Sequence, residues 1–182
     1  IGPEITRKAL SRRDVSALGR FILVGPRKLI GKTPHATIDI PYVNSAEASL
    51  KFLNKGIDLI KGGVADAIVT APLSKELVSR YHKGFKGHTE YLAESFGIKQ
   101  FDMMFVSSDI RLSLVTRHVP LKDVPKLITK KVVYSSIELM HQTLKNQFAV
   151  KSPRIAVLGL NPHAGENGLL GQEEIRHIIP AI

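Results

Sequence analysis

Residues 44–75, NSAEASLKFLNKGIDLIKGGVADAIVTAPLSK, decide the fold class. In the first half of this stretch apolar residues recur at alternating spacings of four and three, which places them on one face of a helix: Ala46, Leu50, Leu53, Ile57 and Ile60. We expect Asn44 to cap this helix, with Glu47 at the capping-box position, and Gly62-Gly63 to end it. The segment is therefore predicted to be an amphipathic helix that covers a core.

The apolar run at residues 67–70 then predicts a strand, followed by the turn Ala71-Pro72 and a short helix from Ser74. The rest of the chain alternates in the same way. A helix over residues 5–15 is entered through Pro3, and further helices begin at His88, Thr129 and about Gln172. Strands are predicted at 21–24, 103–106, 112–116 and 155–160, and the second and third of these form a hairpin or adjacent strands. Alternating strands and helices with short turns predict an α/β fold, with a largely parallel sheet flanked by helices.

Composition narrows the possible functions. Cysteine is absent, so disulfides and thiolate ligands are excluded and any metal must be bound by His, Asp or Glu. The formal net charge of +10 favours an anionic partner. Because the basic residues are scattered and the chain has no Trp, an anionic substrate and cofactor fit better than nucleic acid. No apolar run approaches the ~20 residues of a membrane helix, and we expect the cytoplasm as the compartment.

Two histidines follow predicted strands and are candidate metal ligands. His118 comes after strand 112–116, and His163 comes after strand 155–160 and Asn161-Pro162. Ligands of α/β sheets bind beyond the carboxyl ends of the strands, and imidazole binds several divalent metals. A single histidine is more often structural than functional, so the spacing leaves both interpretations open. Four others lack any supporting context and are interpreted as structural: His35, His82, His141 and His177.

A second candidate site is an anion site at a predicted helix N-terminus. His88 and Thr89 begin this helix behind the glycine-flanked loop 84–87, where exposed N–H groups and the helix dipole favour negative charge. Lys75, after the turn at Ala71-Pro72, is a candidate to pair with a carboxylate or phosphate, although it fits a solvated helix position equally well. No glycine-rich nucleotide fingerprint is present, so residues that bind a dinucleotide cannot be assigned.

Several distinctive stretches occur in the order of one known family: IGPEI at 1–5, IVTAPLSK at 68–75, KGHTE at 86–90, LVTRHVPL at 114–121, GLNPHAGENG at 159–168 and GQEE at 171–174. With these motifs the chain resembles the 4-hydroxythreonine-4-phosphate dehydrogenase family of pyridoxal phosphate (vitamin B6) biosynthesis. The resemblance implies a fold similar to isocitrate and isopropylmalate dehydrogenases, which bind NAD without that fingerprint. It also implies a homodimer with active sites at the subunit interface.

The resemblance assigns roles to the candidate residues. It implies one divalent metal (Zn, Mg or Co) held by three histidines, two of which match His118 and His163. The substrate-binding pair of the family matches His88 and Thr89, and Lys75 is an expected electrostatic helper in catalysis. The implied reaction is NAD-dependent oxidation of 4-phosphooxy-L-threonine, with decarboxylation to 3-amino-2-oxopropyl phosphate.

The chain also departs from the family pattern in three places. The glycine-rich residues that precede IGPEI in the family are absent, and the stretch between residues 30 and 44 is much shorter, as if a segment were missing. The third metal histidine and the phosphate-binding residues are expected beyond Ile182. We therefore expect residues 1–182 to be an incomplete part of an α/β dehydrogenase.

Three other interpretations stay open at this point. A sister dehydrogenase for another four-carbon phosphorylated acid, such as phosphorylated threonate or erythronate, would share these motifs. A basic nucleic-acid-binding module would explain the net charge of +10. A nonfunctional fragment would explain the short length.

Overall fold

A computed structural model describes residues 1–41 and 45–182, which form two compact units, Ile1–Lys99 and Gln100–Ile182. Each unit combines helices with a two-stranded sheet. The expected helix cap, Asn44, lies outside the described residues. Within the described part of the chain, no helix is both long enough and apolar enough to span a lipid bilayer.

The first unit is built around one parallel strand pair and a long helix. Residues Ile22 to Gly25 lie opposite Ala36 to Asp39 in register. The carboxylate Oδ1 of Asp39 accepts a hydrogen bond from the backbone N–H of Arg27 at 2.8 Å, which ties the end of the second strand to a helix start. The described elements in chain order are α1 (Gly2–Leu10), α2 (Arg13–Ser16), β1 (Ile22–Gly25), α3 (Arg27–Ile30), β2 (Ala36–Asp39), α4 (Ser45–Lys61), α5 (Lys75–Tyr81) and α6 (His88–Ser95).

Helix α4 confirms the helix predicted from residues 44–75. Of its predicted apolar face, Ala46, Leu53 and Ile57 are buried, and the helix ends at Lys61 just before Gly62. Helices α4, α5 and α6 are joined by a small core in which Ala46, Val78 and Phe85 are buried and three partly buried side chains pack against them, Leu50, Leu73 and Tyr91. Complete burial of an apolar side chain contributes about 1.5–3 kcal/mol, so this cluster fixes the loop before α6.

The second unit carries the predicted hairpin and a second long helix. Its regular elements are β3 (Met103–Val106), β4 (Arg111–Leu114), α7 (Val124–Leu127) and α8 (Lys130–Asn146). Strands β3 and β4 are antiparallel, as predicted. The predicted cap of α8 is also confirmed, because Thr129 Oγ1 accepts a hydrogen bond from the Val132 N–H at 3.3 Å. The buried face of α8 packs on a π-helical turn, Glu174–Ile178, and on the 3₁₀ turn after it.

The prediction of a largely parallel sheet is wrong for the described residues. They contain two separate strand pairs, one parallel and one antiparallel. Residues 67–70 and 155–160, both predicted as strands, form no strand and pair with none among residues 1–41 and 45–182. An apolar run shows only that a segment suits a strand, whereas a strand also needs a neighbour to bond with its backbone.

Other boundaries differ from the predictions for local reasons. The predicted helix 5–15 is broken, because Arg12 has an extended backbone between α1 and α2. Strand β2 was not predicted, although Thr37 and Ile38 are β-branched residues typical of strands. The strand predicted at 112–116 lies at Arg111–Leu114. The final helix is the π-helical turn described above rather than a regular α-helix.

Asp102 joins the hairpin of the second unit to α8. Its Oδ2 accepts hydrogen bonds from the hydroxyls of Ser113 at 3.1 Å and Ser136 at 2.5 Å, and its Oδ1 accepts one from Arg117 Nη1 at 2.7 Å. The Arg117 guanidinium also lies 4.8 Å from the ring centroid of Phe101. The network therefore holds the backbone that leads into His118.

We predict that Asp102→Asn lowers the free energy of unfolding by about 2–3 kcal/mol, because the amide cannot replace a partly buried charge that accepts three hydrogen bonds. Asp123→Asn is the matched control, since Asp123 pairs only with exposed Lys126 at 3.3 Å, and it should cost less than about 0.5 kcal/mol. Urea denaturation followed by circular dichroism measures both. Equal effects of the two substitutions would contradict this role for Asp102.

Candidate active site

Lys75 opens helix α5, and the preceding residue fixes where it begins. The hydroxyl of Ser74 accepts a hydrogen bond from the Leu77 N–H at 3.3 Å, so Ser74 is the N-cap of the helix. Val78, one turn into the helix, is almost fully buried and anchors it in the core. Lys75 itself is exposed, so its ammonium group is free to reach towards the neighbouring loop.

The turn at Gly87 brings Lys75 to the start of α6. Gly87 is buried, has a φ of 155° and is the N-cap of α6, with no side-chain cap bond. A Cβ placed on Gly87 would lie 3.5 Å from Lys75 Nζ and 3.4 Å from Glu90 Oε2. The positive end of the α6 dipole, an ammonium group and a first-turn carboxylate are therefore gathered around one glycine.

His88 occupies the first position of α6 and is half-buried. Its ring packs edge-on to buried Phe85, with centroids 6.5 Å apart. Burial lowers the pKa of His88 below the ordinary 6.5, and the nearby charge of Lys75 lowers it further. The imidazole is consequently neutral at neutral pH, with one nitrogen that donates a hydrogen bond and one that accepts.

Lys75 and His88 are thus brought together around Gly87, with Thr89 at the next position of α6. The arrangement offers an ammonium charge, a neutral imidazole, the hydroxyl of half-buried Thr89 and the first N–H groups of α6. These are donors suited to a carboxylate or phosphate group. Such a site can bind and orient a small charged molecule.

His118 lies in the second unit, four residues after β4. It is exposed and has a φ of 51°, in the left-handed region that few non-glycine residues adopt. The residue before it, Arg117, is held by Asp102 at 2.7 Å. A fixed, uncommon backbone at the exit of a hairpin is typical of residues whose side-chain direction matters.

His163 lies in the same unit, in a loop organised by Asn161. The Oδ1 of Asn161 accepts hydrogen bonds from the N–H groups of His163 at 2.9 Å and Gly165 at 3.3 Å, and its amide donates to the Leu170 carbonyl at 3.1 Å. The imidazole Nδ1 of His163 lies 2.8 Å from Glu166 Oε1. The expectation that a strand leads into His163 is wrong, since residues 155–160 form no strand in the described chain.

The second unit does not form a complete metal site from its own side chains. No group of three or more His, Asp or Glu side chains that could hold an ion occurs in residues 1–41 and 45–182. The chemistry of the two predicted donors nevertheless fits a divalent cation. With Nδ1 engaged by Glu166, His163 has its Nε2 directed elsewhere, as in many carboxylate–histidine–metal arrangements.

Comparison with known proteins identifies the family. The sequence matches the family described as "Pyridoxal phosphate biosynthetic protein PdxA" over residues 19–182. The chain belongs to the PdxA family. The 4-hydroxythreonine-4-phosphate dehydrogenase of Neisseria meningitidis serogroup A is 45% identical over 192 residues, which cover 96% of this chain. The enzyme of the same name from Zymomonas mobilis is 37% identical over 214 residues, an alignment that covers 100% of this chain.

Solved PdxA-family structures agree with this assignment. The crystal structure of 4-hydroxythreonine-4-phosphate dehydrogenase from Klebsiella pneumoniae matches with a TM-score of 0.85 and 28% identity, over 100% of this chain and 66% of that one. The chain spans 58% of the length of its Neisseria relative and 64% of its Zymomonas relative. The mixed helix-and-sheet fold is therefore that of part of a PdxA protein.

Sequence reasoning missed the carboxylates that position the histidines. Asp102, Glu166 and Glu174 were not singled out, because a carboxylate in a sequence is usually a solvated surface residue. Asn161 was noted only as part of a turn, yet Asn before Pro is a residue that often bonds to the backbone two residues later. That turn chemistry was the one available signal in the PdxA motif GLNPHAGENG.

We predict that His88 titrates below the ordinary imidazole pKa of 6.5, because burial and Lys75 disfavour its charged form. Lys75→Met should raise the pKa of His88 but leave it below 6.5, since burial, the larger cause, remains. Lys83→Met removes an exposed charge from the same loop region and should leave that pKa unchanged. Proton NMR titration measures the pKa of the His88 imidazole in the wild-type protein and in both variants.

The downward shift of the His88 pKa also determines how stability depends on pH. Because the folded-state pKa of His88 is depressed, its contribution is present above pH 6.5 and is lost as the pH falls through the folded-state pKa. A His88 pKa above 6.5, or no response to Lys75→Met, would contradict the arrangement around Gly87.

Proposed function

We propose that this chain is part of an NAD-dependent dehydrogenase that oxidises 4-phosphooxy-L-threonine. Family membership and the name shared by the relatives, 4-hydroxythreonine-4-phosphate dehydrogenase, support the substrate and the reaction type. A hydride passes from C3 of the substrate to NAD⁺, and the C3 hydroxyl loses its proton. The resulting β-keto acid releases carbon dioxide, takes up a proton and gives 3-amino-2-oxopropyl phosphate.

The observation that carries this proposal is the convergence of Lys75 and His88 on the N-terminus of α6 around Gly87. The substrate bears a carboxylate, an ammonium group and a phosphate, so a site of mixed charge suits it. We assign Lys75 to electrostatic attraction of an anionic group, and His88 with Thr89 to hydrogen bonds that orient the substrate. Fixed orientation lowers the barrier to hydride transfer because the reacting atoms start close together.

His118 and His163 are proposed as two ligands of a divalent cation such as Zn, Mg or Co. When bound, such an ion lowers the pKa of a coordinated hydroxyl and stabilises negative charge on oxygen. The backbone of His118 is held through Arg117 and Asp102, and the ring of His163 is held by Glu166. These contacts would keep both imidazoles in place before any ion arrives.

The finer features of the fold and assembly are proposed on the family resemblance. They are an isocitrate dehydrogenase-like fold that binds NAD without a glycine fingerprint, a homodimer with the active site at its interface, and a location in the cytoplasm. The alignment with the Zymomonas enzyme runs over 214 residues against the 182 of this chain, which supports a segment missing within it. We propose that this segment belongs between residues 30 and 44.

We predict that His118→Ala and His163→Ala each remove bound metal and lower turnover by at least about 100-fold, because metal assistance contributes several kcal/mol to catalysis. His141→Ala, on the exposed side of α8, is the matched control and should retain both metal and activity. Metal content by elemental analysis and NADH absorbance provide the two readouts. Full turnover by a metal-free variant would refute the assigned roles.

The substrate assignment is tested separately with a panel of phosphorylated acids. We expect kcat/KM for 4-phosphooxy-L-threonine to exceed that for phosphorylated threonate or erythronate at least tenfold, about 1.4 kcal/mol of transition-state binding. Running the panel with NAD and with NADP compares the cofactors in the same assay. A preference for threonate or erythronate phosphate would establish the sister activity, and salt-sensitive nucleic-acid binding without turnover would favour the non-enzymatic alternative.

A further inference from the structure

Five consecutive residues after His163 adopt a left-handed backbone. Their φ angles are 47° at Ala164, 77° at Gly165, 41° at Glu166, 54° at Asn167 and 96° at Gly168. Three of the five are not glycine, and a left-handed conformation costs such residues roughly 1–2 kcal/mol each. Backbone of this kind persists only where neighbouring structure holds it.

Asn161 and local backbone hydrogen bonds hold this left-handed turn. The Oδ1 of Asn161 accepts from the N–H groups of His163 and Gly165, and the Gly165 carbonyl accepts from the N–H groups of Gly168 at 2.8 Å and Leu170 at 3.0 Å. Glu174 is only 4% exposed and packs beside the turn, where its Oε2 lies so close to Gly165 that a Cβ on that glycine would be 2.8 Å away. Its Oε1 accepts a hydrogen bond from the Leu160 N–H at 2.8 Å, just before the turn. The turn is therefore fixed in place by its own bonds and by close packing.

The left-handed turn at residues 164–168 brings the Glu166 side chain into contact with His163. Glu166 Oε1 lies 2.8 Å from His163 Nδ1, although the two side chains are 48% and 61% exposed. An exposed pair of this type contributes little to stability, typically less than about 1 kcal/mol. The pairing therefore adds little to stability, whereas its 2.8 Å contact with Nδ1 sets the direction of the imidazole.

We propose that Glu166 is a positioning residue for His163. Its carboxylate accepts the hydrogen on Nδ1, fixes the neutral ring in that tautomer and leaves the lone pair of Nε2 for a metal ion. The inference rests on the proposed metal role of His163, but its tautomer component concerns this chain alone. It adds to the proposed site a residue that contacts the ligand imidazole and not the ion.

The test combines a tautomer measurement with metal titration of the same proteins. At about pH 8.5, where model imidazoles are neutral, ¹⁵N–¹H correlation spectra of the metal-free protein should show His163 protonated on Nδ1. Glu166→Gln should shift His163 towards the Nε2-protonated form and weaken Zn²⁺ binding by 10–100-fold, the usual effect of losing such a partner. Glu138→Gln, an exposed carboxylate on α8, is the control and should change neither.

The outcomes separate this inference from the proposed function. A wild-type protein that binds Zn²⁺ through His163, with Glu166→Gln unchanged in tautomer and affinity, overturns the role of Glu166 and leaves the metal site standing. A His163→Ala variant with undiminished Zn²⁺ affinity refutes the metal ligand, and with it the inference. An Nε2-protonated His163 in the wild-type protein overturns the inference whatever the metal affinity.

Discussion

The candidate substrate site depends on the buried turn at Gly87. Its φ of 155° favours glycine, and Lys75 Nζ and Glu90 Oε2 both lie close to it, 3.5 and 3.4 Å from where a Cβ would stand. The turn is held from both sides, since Phe85 is buried before it and Tyr91 donates a hydrogen bond to Asn54 of α4 at 2.6 Å. Packing that joins α4 to α6 therefore sets the charge around His88, and the depressed pKa of that imidazole follows from the same contacts.

Local patterns predicted the elements whose stabilising contacts are local. Helix α4 was found from its apolar spacing, α8 from its cap at Thr129, and the hairpin from two apolar runs around a polar turn. The sheet was not predictable in the same way, because pairing joins residues distant in sequence. Strand β2 pairs with β1 across a helix, and the runs at 67–70 and 155–160 lack such a neighbour in the described residues.

The candidate site was likewise predictable from the sequence only in part. Turn and helix-start patterns pointed to His88, Thr89 and Lys75, and the family resemblance supplied their roles. The approach of Lys75 to Gly87 could not be foreseen, since it arises from the packing of α5 against α4. The carboxylates that contact the histidine-bearing segments could not be predicted either, because a sequence does not distinguish a buried glutamate such as Glu174 from an exposed one.

The two predicted strands that form no ladder have a consequence for handling this polypeptide. Val69 and Leu158 lie in these segments and are 93% and 76% exposed, and no charged residue interrupts residues 67–70 or 155–160. Exposed apolar stretches of this kind favour association between chains. A lysine introduced at Val69 or Leu158 would accordingly act as a gatekeeper and keep concentrated solutions dispersed.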